Sequence, residues 1–318
     1  MHRRLHNVEG HWPAHRRCIR IRRRRYRRGA LAARNGRMAD NNRTRAQETR
    51  FMSLDSELHK QLRELACKTA RQAAAMVLSH HGEVHHTDTK ASTIDLVTEV
   101  DRVSEELISQ LLLDARPHDG IIGEEGASIT STSGVEWLVD PIDGTTSFFY
   151  GLPGFSVSIA ARIGDQVVAG CVVAPAITTE YSAALGNGAT MNGDPISCRN
   201  TSSLSKALVG TGFSPDHERR ARQGQTFAAL IPHIRDIRRM GSAALDLSAV
   251  AAGQLDAYFE VGLSLWDYAA GVLIASEAGA LTVVELDPLS DRAFVLAAAP
   301  NISDNFVSLL RAHNADEV

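Results

Sequence analysis

An α/β fold of layered sheets covered by helices is what this sequence of 318 residues predicts. Three observations predict it. Between Leu58 and Leu78, apolar residues recur at helical spacing. Phe155-Ser156-Val157-Ser158-Ile159-Ala160 alternates, as a half-buried strand does. Beyond Leu208, short strand patterns and helical patterns take turns. The two periodicities report different backbones, and their alternation implies sheets with helices packed on them.

Residues 1 to about 50 form a separate compositional block. Residues 1–37 hold thirteen arginines and one acid, Glu9, with Arg22 to Arg25 consecutive. Such a run repels itself and reads as a disordered, non-folding extension. It lacks the apolar core of a secretory signal and contains no serine, against a transit peptide. Met38 and Met52 are candidate internal starts. A basic arm that grips RNA or an acidic partner is the competing reading, with Trp12 and Tyr26 as weak stacking candidates.

The folded unit is expected over residues 51–318, opening with a helix from Leu58 to Leu78 capped by Ser53 or Asp55 and ended by Gly82. A second helix runs from about Asp101 to Leu113. Ile121-Ile122 and Trp137-Leu138-Val139 are short strands that end in acids, the latter at Asp140. Residues 155–160, 166–173 and 180–185 are neighbouring strands, with hairpin dipeptides at Asn187-Gly188 and Asn192-Gly193. Gly186-Asn187-Gly188 is not a dinucleotide loop, because Met191 stands where a third glycine belongs. Strands at 208–210, 255–259, 281–284 and 294–297 then alternate with helices at 226–234, 242–252, 266–279 and 303–313. A seam near 200–206 divides the unit into subdomains of about 51–200 and 201–318.

Charge is unevenly spread. Of 34 basic and 37 acidic residues, the segment beyond residue 37 keeps 21 and 36, a net −15. A body that acidic does not read as a nucleic-acid binder; it suits carboxylates gathered around cations. No stretch has the roughly 18 apolar residues of a membrane helix, so a cytoplasmic protein without a membrane partner is expected. Cys18, Cys67, Cys171 and Cys198 are scattered, which argues against a disulfide frame or zinc site.

The chemistry concentrates at Asp140-Pro141-Ile142-Asp143-Gly144-Thr145. Pro141 lacks an N–H and should stop the strand. Two carboxylates and the Ile142 carbonyl within four residues make a hard-cation site suited to magnesium. The N–H groups of Gly144 and Thr145, at a helix start, suit a phosphate. Alone, this stretch would read as a surface turn. Glu124-Glu125 at another strand end and Asp267 at a helix start change that, although each has a plain alternative as a solvated pair or an N-cap. His80, His81, His85 and His86 follow a helix end and read as a solvated loop.

Glu124-Glu125, Asp140-Pro141-Ile142-Asp143-Gly144-Thr145 and Trp266-Asp267-Tyr268-Ala269-Ala270-Gly271 resemble the signatures of the inositol monophosphatase family. So do Thr98-Glu99-Val100-Asp101 and Tyr258-Phe259-Glu260-Val261-Gly262, and the overall impression is closest to the bacterial members. The resemblance implies a stacked α/β/α/β/α sandwich of the inositol monophosphatase and fructose-1,6-bisphosphatase type, and a homodimer. It implies two or three Mg2+ ions: Glu124, Asp140 and the Ile142 carbonyl at a first, Asp140, Asp143 and Asp267 at a second, and a weaker third at Glu124. It implies that Glu124, Thr145 and Asp101 serve catalysis by activating water. The substrate would meet Asp143, Gly144, Thr145, Ala243, Glu260 and Asp267. Glu125 matches a supporting position, Lys90 is a candidate to approach the phosphate, and Arg238 and Arg239 precede the loop Gly241-Ser242-Ala243. The implied reaction is hydrolysis of a small phosphorylated polyol, myo-inositol 1-phosphate first. Histidinol phosphate, a sugar bisphosphate or a phosphoadenosine nucleotide are alternatives.

Overall fold

The computed structural model describes the backbone of residues 18–19, 38–81, 99–288 and 290–315, and side chains from residue 55 onward within those ranges. Two sheets and seven α-helices make up the described fold. The eight-stranded sheet runs, edge to edge, β3 (Ser128–Ile129), β2 (Gly120–Gly123), β4 (Val135–Asp143), β5 (Ser156–Ile163), β6 (Gln166–Ala174), β7 (Thr179–Ala184), β8 (Ala189–Met191) and β9 (Asp194–Ile196). Only β2 and β4 pair in parallel within it. The six-stranded sheet runs β1 (Cys18–Ile19), β13 (Leu281–Leu286), β14 (Ala293–Ala298), β12 (Ala257–Leu263), β10 (Leu208–Thr211) and β11 (Asp236–Arg238), with β10 parallel to both neighbours.

Helices cover both faces of both sheets. α1 (Met38–Ser79) and α2 (Glu99–Ala115) lie outside the first sheet; α5 (Ala243–Ala251) and α6 (Leu265–Glu277) lie between the sheets. α4 (His217–Leu230) and α7 (Ser303–Ala312) cover the outer face of the second, while the short α3 (Thr145–Phe149) follows β4. The result is an α/β/α/β/α sandwich. Successive residues of β4 show how: Trp137 and Val139 enter the core under α1 and α2, and Leu138 enters the core under α5 and α6. Burying such side chains supplies about 1.5–3 kcal/mol each. Alanines at 66, 70 and 73 on α1, all buried, let the helix lie close on the sheet.

The structure departs from the sequence reading in four places. Parts of the segment expected to be a non-folding extension, residues 1 to about 50, carry regular structure: Cys18–Ile19 pairs antiparallel with β13, and α1 begins at Met38, well before the apolar periodicity at Leu58. β4 does not stop at Asp140 but runs through Pro141 to Asp143. β5 is buried on both faces rather than half-buried, because the face bearing Ser156 and Ser158 meets the starts of α5 and α6. α4 begins at His217 instead of 226, since Asp216 caps it by accepting a bond from the Arg219 N–H at 2.8 Å, and it yields at Pro232 to a 3-10 turn, Ile231–His233. Its first turns are polar and carry no apolar period.

Candidate active site

β2 and β4 run parallel, so their C-terminal ends emerge at one edge of the first sheet. The N–H of Glu124 donates to the Val139 carbonyl at 3.2 Å, which places Glu124 level with Asp140. Opposite β5, Asp140 pairs with Ser158 and Asp143 with Ser156, so Pro141 and Ile142 together face the single residue Val157. This is a β-bulge, and a bulge tolerates a proline that a regular ladder would not. It also brings Asp140 and Asp143 to the same cavity.

Gly144 follows with φ +93°. That left-handed backbone favours glycine, and a Cβ there would lie 2.6 Å from the Gly154 carbonyl oxygen and 3.1 Å from that of Gly241. The loop before α5 therefore docks directly on the end of β4. Ser242 completes the junction: its hydroxyl donates to Asp143 Oδ2 at 2.6 Å, accepts the Leu245 N–H at 3.1 Å as the α5 cap, and lies 3.0 Å from the Ser156 hydroxyl. The Ala244 N–H donates to the same Asp143 oxygen at 2.7 Å. Asp267, in the first turn of α6, closes a capping box by accepting the Ser264 N–H at 2.7 Å. Helix starts thus fix two of the acids that the sequence singled out.

A cavity of about 120 Å³ is lined by Glu124, Asp140, Asp143, Gly144, Ala243, Glu260 and Asp267. Four separate segments deliver these acids to one space. Asp140 is 1% exposed and its Oδ1 accepts no hydrogen bond among the described residues. Burial first, then the charges of Glu124, Asp143 and Asp267, push the Asp140 carboxyl well above the usual range. Burial pushes Asp143 up to about 6 against its hydrogen bonds from Ser242 and Ala244. Asp267 is raised by burial and then by Asp143 and Glu124. Glu124 stands at the open rim. Desolvation of its carboxyl raises it to about 7, opposed by its contact with Asp140 and aided by Asp143, and exposure at the rim tempers that push. Mutual repulsion among hard oxygen donors, with a buried oxygen left unsatisfied, is what a divalent-cation site shows before its ions are counted. The donor set fits such ions.

On the opposite wall, Tyr258 donates to Glu260 Oε2 at 2.5 Å, and Glu260 is raised to about 7 chiefly by burial. The Cβ of an alanine at position 212 would fall 2.0 Å from that same Oε2, so Gly212 leaves the room Glu260 occupies. Two further charged residues stand on the lining. Asp246, one turn into α5, is 1% exposed with Oδ1 unpartnered among the described residues, and burial raises it to about 8, with Asp143 and Glu260 adding to the rise. Arg239 is the one cationic residue of the lining. Sequence reading assigned Arg239 a supporting role and missed Asp246, although helical spacing puts Asp246 on the same face as Ser242.

The remaining candidates lie around this cavity rather than on its lining. Asp101 is buried in the first turn of α2, whose Ser104 hydroxyl reaches the Pro141 carbonyl at 3.5 Å. Thr145 donates its hydroxyl to the Ile142 carbonyl at 3.1 Å, so that carbonyl is engaged, with a second lone pair left for a cation. The Glu125 and Ala127 N–H groups both donate to the buried Glu105 carboxylate at 2.8 Å, a clamp that sequence reading did not detect. His80 Nδ1 donates to the Met76 carbonyl at 3.0 Å, and His81 packs on Phe155 with ring centroids 4.9 Å apart, so His81 is not a solvated residue. His85, His86, Lys90 and Thr98 lie outside the described residues. Remote from the cavity, Cys67, Cys171 and Glu180 bring ligand atoms within 4.8 Å of one another, with Glu180 held by Arg71 through bonds of 2.6 and 2.8 Å. The cavity acids are more widely spread around their space.

The chain belongs to the inositol monophosphatase family, which it matches over residues 58–313. It is a phosphoric monoester hydrolase of a metal-dependent family, acting on a phosphorylated substrate. Inositol-1-monophosphatase SuhB of Mycobacterium tuberculosis is 42% identical over 276 residues, 80% of this chain and 95% of that protein. Nus factor SuhB of Pasteurella multocida is 39% identical over 261 residues, 80% of this chain and 97% of that protein. Among solved structures, Mycobacterium tuberculosis SuhB aligns with a TM-score of 0.72 at 43% identity, covering 81% of this chain and 98% of that one. The inositol monophosphatase from Anabaena aligns with a TM-score of 0.68 at 31% identity, covering 80% and 96%.

Proposed function

We propose that the cavity bounded by Glu124, Asp140, Asp143 and Asp267 hydrolyses a small polyol phosphate, myo-inositol 1-phosphate first, with Mg2+. The observation that carries this reading is the convergence of four acids from three separate segments on one cavity, with Asp140 Oδ1 buried and unpartnered among the described residues. Glu124, Asp140 and the Ile142 carbonyl would hold one ion, Asp140, Asp143 and Asp267 a second, and Glu124 a weaker third. When bound, such ions polarise the phosphoryl group and stabilise the departing alkoxide.

The chain's own groups do the rest. Glu124 Oε, raised toward neutrality, takes the proton of the attacking water, which Thr145 and Asp101 orient. Ser242 and the Ala244 N–H fix Asp143 so that one face of its carboxylate is committed to α5 and the other is left for the cavity. Glu260 accepts from a polyol hydroxyl while Tyr258 holds its other side, and Ala243 and Gly144 let the ring and the phosphoryl group approach the backbone. Arg239 supplies positive charge to a cavity whose other charged residues are acids.

Around this site, residues 51–200 and 201–318 act as subdomains joined by the Gly144–Gly241 and Asp143–Ser242 contacts, and the protein works as a cytoplasmic homodimer. Among the described residues, no helix is long and apolar enough to cross a membrane. The arginine-rich residues 1–37 take no part in catalysis and bind no nucleic acid; deleting residues 1–50 leaves hydrolysis unchanged on this reading. The deciding experiment is phosphate release across myo-inositol 1-phosphate, histidinol phosphate, a sugar bisphosphate and a phosphoadenosine nucleotide. Highest kcat/KM on inositol 1-phosphate supports the assignment; equal or better turnover of histidinol phosphate overturns it.

A further inference from the structure

At roughly 30 Å³ per water molecule, the acid cavity of about 120 Å³ has room for about four water-sized groups. A phosphoryl group takes up such a space. A second and larger cavity, of about 380 Å³, meets it at Thr211, Gly212 and Glu260. That volume is in the range of small-molecule sites. β10 ends at Thr211 while β12 runs on to Leu263, so the chain leaving Gly212 opens a recess beside the exposed length of β12, and α4 and the end of α7 wall it.

Two arginines stand in this recess with the neutral polar side chains of Gln223, Thr226 and Asn314, and Glu260 lies at its inner end. Arg219 and Arg222 project from adjacent turns of α4, and His313 stands at the end of α7. Among the described residues neither arginine takes part in an ion pair. Arg219 Nε is buried with no hydrogen-bond partner, and its Nη1 lies 3.0 Å from where a Cβ on Gly262 would sit. Gly262 is two residues beyond Glu260 on β12, so the guanidinium packs against the strand that carries Glu260. Asp216 is the acid in reach of both arginines, but its Oδ1 already accepts the Arg219 backbone N–H. A buried guanidinium donor is costly to leave without an acceptor, and paired arginines match a phosphate oxyanion bidentately.

We infer that the recess bearing Arg219 and Arg222 is a second oxyanion site, built for a phosphate group and adjoining the proposed catalytic cavity across Gly212 and Glu260. Two sources supply that chemistry: a second phosphate on the substrate itself, or free orthophosphate. The inference rests on the placement of catalysis at the neighbouring acids.

The test compares wild-type protein with R219Q/R222Q and with the charge-preserving R219K/R222K, in Mg2+. One arm measures kcat/KM for a polyol monophosphate and for the corresponding bisphosphate. The other measures orthophosphate binding by calorimetry at constant ionic strength. A substrate-borne phosphate predicts that the bisphosphate-to-monophosphate ratio exceeds about tenfold in wild type, collapses in R219Q/R222Q, and is largely kept by R219K/R222K. A free-phosphate site predicts no such ratio, but a calorimetric phosphate site that the glutamine pair loses and the lysine pair keeps. If wild type and R219Q/R222Q agree in both the ratio and the binding isotherm, the site does not exist. Absence of phosphate release from every monoester would instead remove the catalytic placement, and the binding arm would still decide the recess.

Discussion

Asp246 offers a perturbation whose sign runs against intuition. It is 1% exposed, its Oδ1 lacks a partner among the described residues, and burial with Asp143 and Glu260 nearby raises its carboxyl from 3.8 to about 8. A carboxyl raised on folding stays protonated in the native state while the unfolded chain ionises. Stability therefore falls as pH rises from about 4, and the loss is complete only above about pH 8. A shift of about four units at ~1.4 kcal/mol each gives a penalty on the order of 5 kcal/mol at pH 9. Asp246→Asn removes the charge and keeps the shape. In chelator, the variant should match wild type near pH 5 and exceed it by several kcal/mol at pH 9. At ~2–4 °C per kcal/mol, its Tm should lie about 10 °C or more higher at pH 9. Urea and thermal denaturation of both proteins from pH 5 to 9 read this directly. An equal Tm at pH 9, or the same advantage at pH 5 and pH 9, refutes the reasoning.

Two glycine substitutions separate the site's foundation from its wall. Gly144→Ala forces a side chain into a backbone at φ +93° and within 2.6 Å of the Gly154 carbonyl oxygen, so it should cost about 3 kcal/mol or more in urea unfolding and abolish turnover. Gly212→Ala meets only the movable end of Glu260, so it should raise KM for a polyol phosphate about tenfold with Tm nearly unchanged. Ser242→Ala loses the α5 cap and the donor to Asp143 together, predicting about 2–4 kcal/mol of destabilisation and a weaker Mg2+ requirement curve, read as a higher half-saturating concentration.

Much of this arrangement was legible in the chain. The run from Asp140 to Thr145 announced itself because two acids, a proline and a glycine in six residues have few structural uses, and Glu124 and Asp267 stood where a strand and a helix change direction. What stayed hidden has physical reasons. The strand through Pro141 depends on a bulge against Val157, and pairing partners are not readable from one strand alone. The early start of α4 rests on a side-chain cap over polar turns, which leave no hydrophobic period to detect. Asp246 sits in Ala243-Ala244-Leu245-Asp246-Leu247, where a lone acid among apolar residues looks like the exposed face of a helix. It is buried because α5 lies between two sheets. Glu105 was likewise read past, since a helix glutamate is ordinarily solvated; here two backbone N–H groups hold it.

If the acids at the end of β2, on β4 and in α6 gather divalent cations against a phosphoryl group, hydrolysis depends on Mg2+ and on Asp140. The most direct measurement is phosphate release from inositol 1-phosphate as Mg2+ is titrated, for wild type and Asp140→Asn side by side. Expected are no turnover in chelator, saturable activation of wild type, and a variant at least about a hundredfold slower whose Mg2+ response is shifted to much higher concentration. Turnover that persists in chelator, or an Asp140→Asn protein that matches wild type at low Mg2+, contradicts it.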